Sequence, residues 1–266
     1  MQSLCDAAVE VLTAASPVDK VRLTFQASRH WNDGTIAEVG NTHPPVRPAR
    51  PGHPEILPPN KMPRRGTSGV IGKIAMIHAL AHIEFNAIDL AWDIIARFAD
   101  QDLPKGFYDD WVKVAHQEAE HFMALDKILR DLGAHYGSLP AHDGLWQAAV
   151  QTSHDLLSRL AVMPMTLEAR ALDTAPTTIN KLDAASEWPM IQTLSRIVDE
   201  EIEHVAAGAR WFKFVCKRGD KDPATVYHEI IRHHFPGGLK RPFNYEARTK
   251  AGLPQQFYEP LAAEGK

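Results

Sequence analysis

The sequence is poor in cysteine: 266 residues contain only Cys5 and Cys216, and there is no Cys-x-x-Cys pair. Two cysteines exclude a disulfide framework and an all-cysteine zinc or iron–sulfur site. The chain also lacks an uncharged apolar run of about 18 residues, the length needed to cross a bilayer. Its first residues lack the basic segment of a signal peptide. We therefore expect a cytoplasmic protein that does not enter a membrane.

An excess of basic residues is missing as well. The formal net charge is −4, with 29 Lys and Arg against 33 Asp and Glu. This balance does not favour a protein that coats duplex nucleic acid, because such binding neutralises many phosphates. A local basic surface would not be visible in the net charge of the whole chain. Histidine, by contrast, is abundant at 14 residues, which is enough to supply a metal site.

No stretch shows the sustained alternation of β-strands, so the predicted fold class is all-α. One or two amphipathic helices are expected within residues 2–33, with a second start at Ser16 or Asp19. Four longer helices and a short one follow from apolar periodicity, caps and breakers: A from Thr67 or Ser68 to about 100, B over about 105–132, C over about 143–182, D over about 188–218, and the short helix over about 223–234. Pro164 must kink or interrupt helix C, because proline has no N–H to donate.

Between helix regions lies a proline-rich strap, residues 44–63, with eight prolines. Such a composition prefers polyproline or irregular backbone. We predict three segments packed as one domain: 1–68 with N-terminal helices and strap, 69–218 with the four-helix bundle, and 219–266 with a C-terminal helix and tail. Basic residues of the strap and tail could contact an anionic substrate or RNA, although packing against the bundle is favoured: Arg47, Arg50, Lys61, Arg64, Arg65, Lys240, Arg241, Arg248 and Lys250.

Two Glu-x-x-His motifs carry the chemistry, Glu118 with His121 and Glu201 with His204. Positions i and i+3 share a helix face, so each motif aims a carboxylate and an imidazole at one point. One such pair is expected by chance in a chain of this composition. Both pairs, however, lie on apolar stripes, where a carboxylate loses hydration unless it is paired or binds a cation.

Helices A and C each carry one more glutamate on an apolar face, Glu84 and Glu168. Glu84 precedes Glu118 by 34 residues and Glu168 precedes Glu201 by 33, with midpoints near the predicted A–B and C–D turns. In antiparallel hairpins, each glutamate therefore faces its Glu-x-x-His motif. The pattern repeats after 83–84 residues, which indicates an internal duplication of a helical hairpin.

Four carboxylates and two imidazoles inside a helical bundle are typical of di-iron and di-manganese carboxylate proteins. The alternative is a buried polar network without metal. Three aspartates could orient the imidazoles as hydrogen-bond acceptors, Asp89, Asp173 and Asp199. His78, His82 and His116 lie off the ligand faces and are interpreted as ordinary surface or core histidines.

On these motifs, over residues 70–218, the sequence resembles the ferritin-like superfamily and, within it, the domain of unknown function 455 family. The resemblance implies a four-helix bundle in which B and C run parallel, so that residues 134–149 would cross the bundle and helix C would begin nearer 150. An up-down-up-down bundle is the alternative. It also implies two iron ions, with manganese or a mixed pair as alternatives. The implied ligands are Glu84, Glu118, His121, Glu168, Glu201 and His204.

The resulting hypothesis is a di-iron oxidoreductase that activates oxygen, a hydroxylase or oxygenase acting on an unknown organic substrate; a ferritin-like tRNA hydroxylase is one precedent. The alternatives are iron handling or peroxide scavenging, as in ferritins and rubrerythrins, or a metal-binding scaffold without catalysis. Because no rubredoxin-type cysteine pair is present, electrons would come from an external donor protein. A homodimer is left open.

Overall fold

The computed structural model describes residues 2–63, 69–183 and 187–263. These residues form an all-helical structure without strands, so the all-α class is confirmed. The predicted N-caps Thr67 and Ser68 and the predicted turn near residue 184 lie outside the described residues.

The described helices, in chain order, are α1 (Leu4–Thr13), α2 (Pro17–Asn32), α3 (Gly69–Arg97), α4 (Lys105–Asp131), α5 (Gly144–Gln151), α6 (Leu156–Val162), α7 (Ala169–Asp183), α8 (Trp188–Arg218), α9 (Pro223–His234), α10 (Tyr245–Lys250) and α11 (Gln255–Tyr258). Predicted helices A, B and D correspond to α3, α4 and α8, and the predicted short helix is α9. Ser16 caps α2 as expected, and Gly133 after α4 has the left-handed φ of +80° that suits a C-terminal cap.

The chain divides into two compact units, residues 1–150 and 151–266. In the first unit α3 and α4 pack as a hairpin, with α1 against α3 and α2 against α4. Residues 84–96 of α3 are buried at every position, because this helix is covered on all sides. The packing of the chain as one domain stays a prediction.

Helix α3 is the one described helix long and apolar enough to cross a membrane by length and composition. Its most apolar 18-residue window is 72% buried within the structure. That burial is typical of the core helix of a globular protein.

The strap, residues 44–63, is irregular backbone fastened to the first unit, with a single short 3-10 turn at Pro59–Lys61. The Ala49 N–H donates to the Leu12 carbonyl at 2.8 Å, and the Leu57 N–H donates to the Ala141 carbonyl at 2.8 Å. The Arg97 guanidinium donates to the Pro45 carbonyl at 3.0 Å. Other parts of the first unit therefore supply hydrogen-bond partners for the backbone of the strap, because this irregular chain forms few of them within itself.

The prediction that helix C is one continuous helix starting at Asp143 is wrong. Helix α5 ends at Gln151, and α6 starts after Asp155, whose carboxylate accepts from the Ser158 N–H at 2.8 Å. An aspartate at this position caps a new helix, so the long helix begins later, near the alternative start that the sequence left open.

Pro164 interrupts the helix as predicted, and the interruption is a π-helical turn, Met163–Glu168, between α6 and α7. The Thr166 hydroxyl donates to the Ala161 carbonyl, five residues back, at 2.8 Å. In the second unit this helix packs against α8. Gly208 of α8 lies close to Pro164, because an added Cβ would lie 2.5 Å from the Pro164 ring.

Candidate metal centre

The first unit brings Glu84 of α3 together with Glu118 and His121 of α4. One ligand atom from each lies within 4.8 Å of the others. The His121 Nδ1 is 3.6 Å from the Glu84 Oε2 and 3.5 Å from the Glu118 Oε2. We call these three residues the first half-site. Their side chains converge as the helix phase and the hairpin geometry predict.

Burial makes this group unusual. Glu84 is 6% exposed, and Glu118 and His121 are both 0% exposed. Neighbouring side chains on the same faces are buried and apolar, including Ala81 and Ile88 beside Glu84 and Phe122 beside Glu118. Two carboxylates in such a place repel each other and lose hydration unless positive charge is supplied.

The His121 imidazole supplies that charge when no metal is bound. Burial by itself lowers the pKa of His121, but the hydrogen bonds and negative charges of Glu118 and Glu84 outweigh it and raise the pKa to about 12. The negative charges of the two carboxylates thus favour a positively charged group at this point. A proton on His121 or a metal ion would supply that charge.

The second unit repeats part of this arrangement. On α8, the His204 Nδ1 is 3.5 Å from the Glu201 Oε1, and the two residues are 0% and 4% exposed. Glu168 is partly exposed and is the last residue of the π turn. We call Glu168, Glu201 and His204 the second half-site.

The donors fit a divalent metal of the iron, manganese or zinc class, for which imidazole nitrogen and carboxylate oxygen are ordinary ligands. Bonds of about 2.0–2.2 Å place neighbouring ligand atoms about 3 Å apart and opposite ones about 4 Å apart. The separations of 3.5 and 3.6 Å in the first half-site fall within that range. A metal ion could therefore be held there without rebuilding the helices.

The proposed orienting role of Asp89 is wrong. This carboxylate is fully buried and accepts from the Lys20 ammonium at 2.5 Å, and Arg50 of the strap donates to its other oxygen. Lys20 also donates to the Val11 carbonyl at 2.9 Å. Asp89 thus pairs with cations from α2 and the strap rather than with an imidazole.

Asp173 behaves in the same way in the second unit. Arg248 of α10 donates to its two carboxylate oxygens at 2.8 and 2.7 Å, and the Asn244 N–H donates at 2.9 Å. Arg248 is 2% exposed, so the pair is desolvated. Asp199 is exposed, and an exposed carboxylate on that face cannot orient a buried imidazole.

His78 and His82 are buried and hold the segment that follows α4. The Gly137 N–H donates to the His78 Nε2 at 3.0 Å. The His82 Nδ1 is 2.9 Å from the Tyr136 hydroxyl, and burial lowers the pKa of His82 to about 4. His116 is half-exposed and lies against Phe25. Interpreting all three as structural histidines agrees with these contacts.

Sequence reasoning missed Lys20, the ammonium that neutralises Asp89. A lysine on the inner face of an amphipathic helix is the signal that could have revealed it, since buried lysine is rare without a carboxylate partner. Burial lowers the pKa of this ammonium, while the charge and hydrogen bond of Asp89 act in the opposite direction.

Several basic residues of the strap and tail are engaged inside their own unit. Arg47 pairs with Asp143 and Arg50 with Asp89. In the tail, Arg241 pairs with Glu259, Arg248 with Asp173 and Lys250 with Glu246. Arg64 and Arg65 lie outside the described residues. The paired residues serve packing first, which weakens the support for an RNA-binding surface.

Comparison with known proteins agrees with the motif pattern. The chain is 36% identical over 212 residues to an uncharacterized protein of Haemophilus influenzae, an alignment that covers 78% of this chain and 74% of that protein. No solved structure matches the chain. A family of proteins of unknown function, DUF455, matches residues 13–259, a span that includes both half-sites. The chain belongs to the DUF455 family.

Proposed function

We propose that this protein is a ferritin-like di-iron carboxylate oxidoreductase that activates oxygen for the oxidation of an organic substrate. The observation that carries the proposal is the repetition of one buried ligand set. Each unit presents a Glu-x-x-His motif from the second helix of a hairpin, and each hairpin has one further glutamate on its first helix. Ferritin-like di-metal sites use this ligand set.

In the proposed site the ligands of the two half-sites would together hold the metal ions. Glu118 and Glu201 would bridge two metal ions, and Glu84 and Glu168 would each bind one ion terminally. His121 and His204 would each ligate one ion. Four carboxylates carry four negative charges, which two divalent ions balance. This balance supports two ions rather than one.

The protein's own residues would do three things in this site. The six ligands would hold the two ions in place. The burial of Glu84, Glu118 and His121 would keep bulk water from the first half-site. Carboxylates can shift between one and two contacts, which leaves positions for an exogenous ligand. Iron, when bound, would supply the activation of oxygen, and an external protein would supply the electrons.

The test is a metal count on purified protein reconstituted with Fe(II), compared with variants in which one bridging carboxylate is removed. About two ions per chain are expected for the wild type, and fewer than one for Glu118→Ala and for Glu201→Ala. Matched controls are Glu120→Ala and Glu203→Ala, which lie two residues away on the same helices, where Glu120 is partly exposed and Glu203 is exposed. Both controls should bind metal like the wild type.

The outcomes separate the functional classes. Unchanged metal content in both bridging variants would overturn the di-metal proposal. Iron accumulation far beyond two per chain would instead indicate storage, and fast peroxide consumption without an organic substrate would indicate scavenging. Two ions per chain together with oxygen consumption that depends on added reductant would support the oxidoreductase.

A further inference from the structure

A pocket of about 470 Å³ opens in the first unit between the start of α2 and the second half of α4. Its apolar wall is built by Val18 and Val21 of α2, Phe122 and Met123 of α4, and Tyr136 of the following loop. The volume lies within the range of about 300–1,000 Å³ that is typical of small-molecule sites. The proposed metal chemistry does not use this pocket.

The wall of the pocket contains apolar side chains that are exposed to solvent in the folded protein. Val18 is 72% exposed and Met123 is 50% exposed, although each lies beside other apolar residues of the same pocket. Exposed apolar side chains scattered singly need no explanation, but a concave group of them marks a binding site. A ligand that covered them would bury apolar surface that the folded chain alone does not.

The back of the pocket belongs to an aromatic cluster on the helices that carry the first half-site. Phe122 and Tyr136 both line the pocket, and their rings lie 5.1 Å apart. Phe85 contacts both of them, with a centroid distance of 5.2 Å to each. Since Phe85 follows Glu84 and Phe122 follows His121 in the chain, the aromatic cluster behind the pocket comes from the same helical turns as two of the proposed ligands.

The rim of the pocket carries two exposed cations, Lys127 and Arg130, each in a surface pair with an aspartate. Lys127, Arg130 and His135 lie on it together with one carboxylate, Asp126. Asp126 already accepts from the Arg130 Nε and from the Tyr136 N–H, both at 2.9 Å. The Lys127 side chain is 74% exposed and bonded only at the surface, to Asp131. Its ammonium can therefore turn toward a charged group at the mouth of the pocket.

We propose that this pocket binds an amphipathic monoanion, an aliphatic carboxylate whose chain covers Val18, Val21 and Met123 while its head group pairs with Lys127 and Arg130. An apolar wall with a cationic rim complements such a molecule in both shape and charge. That the bound carboxylate is the substrate of the metal site rests on the proposed function, whereas the binding itself does not.

The test is isothermal titration of the full-length protein with decanoate below its micelle concentration, with 1-decanol as the uncharged probe. Met123→Trp fills the pocket and should weaken decanoate binding by about tenfold or more. Val150→Trp, on α5, is the matched control, because Val150 is 39% exposed and does not line the pocket. It should bind decanoate like the wild type.

Lys127→Ala tests the rim, and Lys105→Ala is its control. Both lysines lie on α4 in an exposed pair with an aspartate four residues on. Lys127→Ala should weaken decanoate binding by about threefold, the size of an exposed charge pair, and leave 1-decanol unaffected. Lys105→Ala should change neither.

Saturable one-to-one binding with this pattern would support the proposal. Absence of saturable decanoate binding, or equal affinity in Met123→Trp and Val150→Trp, would overturn it. Equal affinity of the wild type for decanoate and 1-decanol would overturn the anionic head group. Metal content is measured on the same samples after reconstitution with Fe(II), so that a protein that takes up no metal but still binds decanoate refutes the metal proposal alone.

Discussion

In the first hairpin α3 runs unbroken from Gly69 to Arg97 past Glu84, whereas in the second the corresponding helix is interrupted by the π turn that ends at Glu168. The two glutamates occupy the same place in the repeat, yet their backbones differ. A π turn inserts extra chain and is frequent at functional sites. The spacing of 33 residues in the second hairpin, against 34 in the first, reflects two hairpins that are related but not identical.

The packing opposite the helix differs as well. Counting from the Glu-x-x-His motifs, Leu125 of the first hairpin corresponds to Gly208 of the second. Leu125 is fully buried, while Gly208 makes room for the ring of Pro164. The second hairpin therefore uses a glycine where the first uses a large apolar side chain, because Pro164 of the π turn fills the space that a side chain at position 208 would need.

Both hairpins place a buried aspartate five residues after the glutamate of the first helix, but each neutralises it with different cations. Asp89 pairs with Lys20 and Arg50 from the N-terminal segments. Asp173 pairs with Arg248 from the C-terminal tail. Segments that flank the hairpins thus supply the positive charge that neutralises each buried aspartate. A buried lysine can lose its proton, whereas arginine stays charged. Removing the aspartate should therefore have the larger effect on stability in the second hairpin.

Replacing Asp173 by Asn should cost about 3–5 kcal/mol of stability, because it leaves Arg248 buried without its counter-ion. Arginine does not lose its proton in proteins, so this loss should be the same from pH 6 to pH 9. Urea unfolding at several pH values measures it. As a control, Asp131→Asn, which removes an exposed partner of Lys127, should leave the midpoint unchanged.

Replacing Asp89 by Asn should cost less, and the loss should depend on pH. The pKa of Lys20 is already lowered by burial, and losing Asp89 lowers it further, so the folded protein can shed the proton. The unfolded chain then binds more protons than the folded one, and stability rises with pH. The deficit against the wild type should shrink as pH rises toward the unfolded pKa of about 10.4. A deficit independent of pH would contradict this account.

Gly208→Ala should destabilise the second hairpin by about 1–3 kcal/mol, as overpacking does in a close helix contact. The added Cβ would meet the Pro164 ring, which cannot swing away. Gly219→Ala is the control, since its Cβ would meet its neighbours at an ordinary 3.7 Å. Thermal melts of the two variants compare them directly, and equal melting temperatures would show that the Pro164 contact is not tight.

The smallest effect concerns the two thiols, one in each unit. Burial raises the pKa of Cys5, and it raises that of Cys216 to about 11, so neither should react with a disulfide reagent at pH 8 in the native protein. In Asp173→Asn, labelling of Cys216 should become faster while that of Cys5 stays slow. Mass spectrometry of the labelled peptides distinguishes the two, and equal acceleration would show that the units open together.

Much of the helical framework could be predicted from the sequence. The ends of α4 and α8 followed from Pro104, Gly133 and Gly219, because caps and breakers act within one helical turn. Short α10 and α11 were missed, since a helix of one or two turns leaves too little periodicity to detect. The break between α5 and α6 was missed for a related reason: the apolar pattern continues through Asp155, and only its capping bond shows that a new helix begins.

The sequence by itself determined which residues form the candidate half-sites, because a Glu-x-x-His motif on an apolar helix face is a local feature. Tertiary structure alone decided the partners of the buried aspartates. Lys20 and Arg50 are 69 and 39 residues from Asp89 in the chain, and Arg248 is 75 residues from Asp173. No local pattern connects such distant charges. Desolvation brings them together, since a carboxylate folded into a core is stable only beside whichever cation the packing delivers.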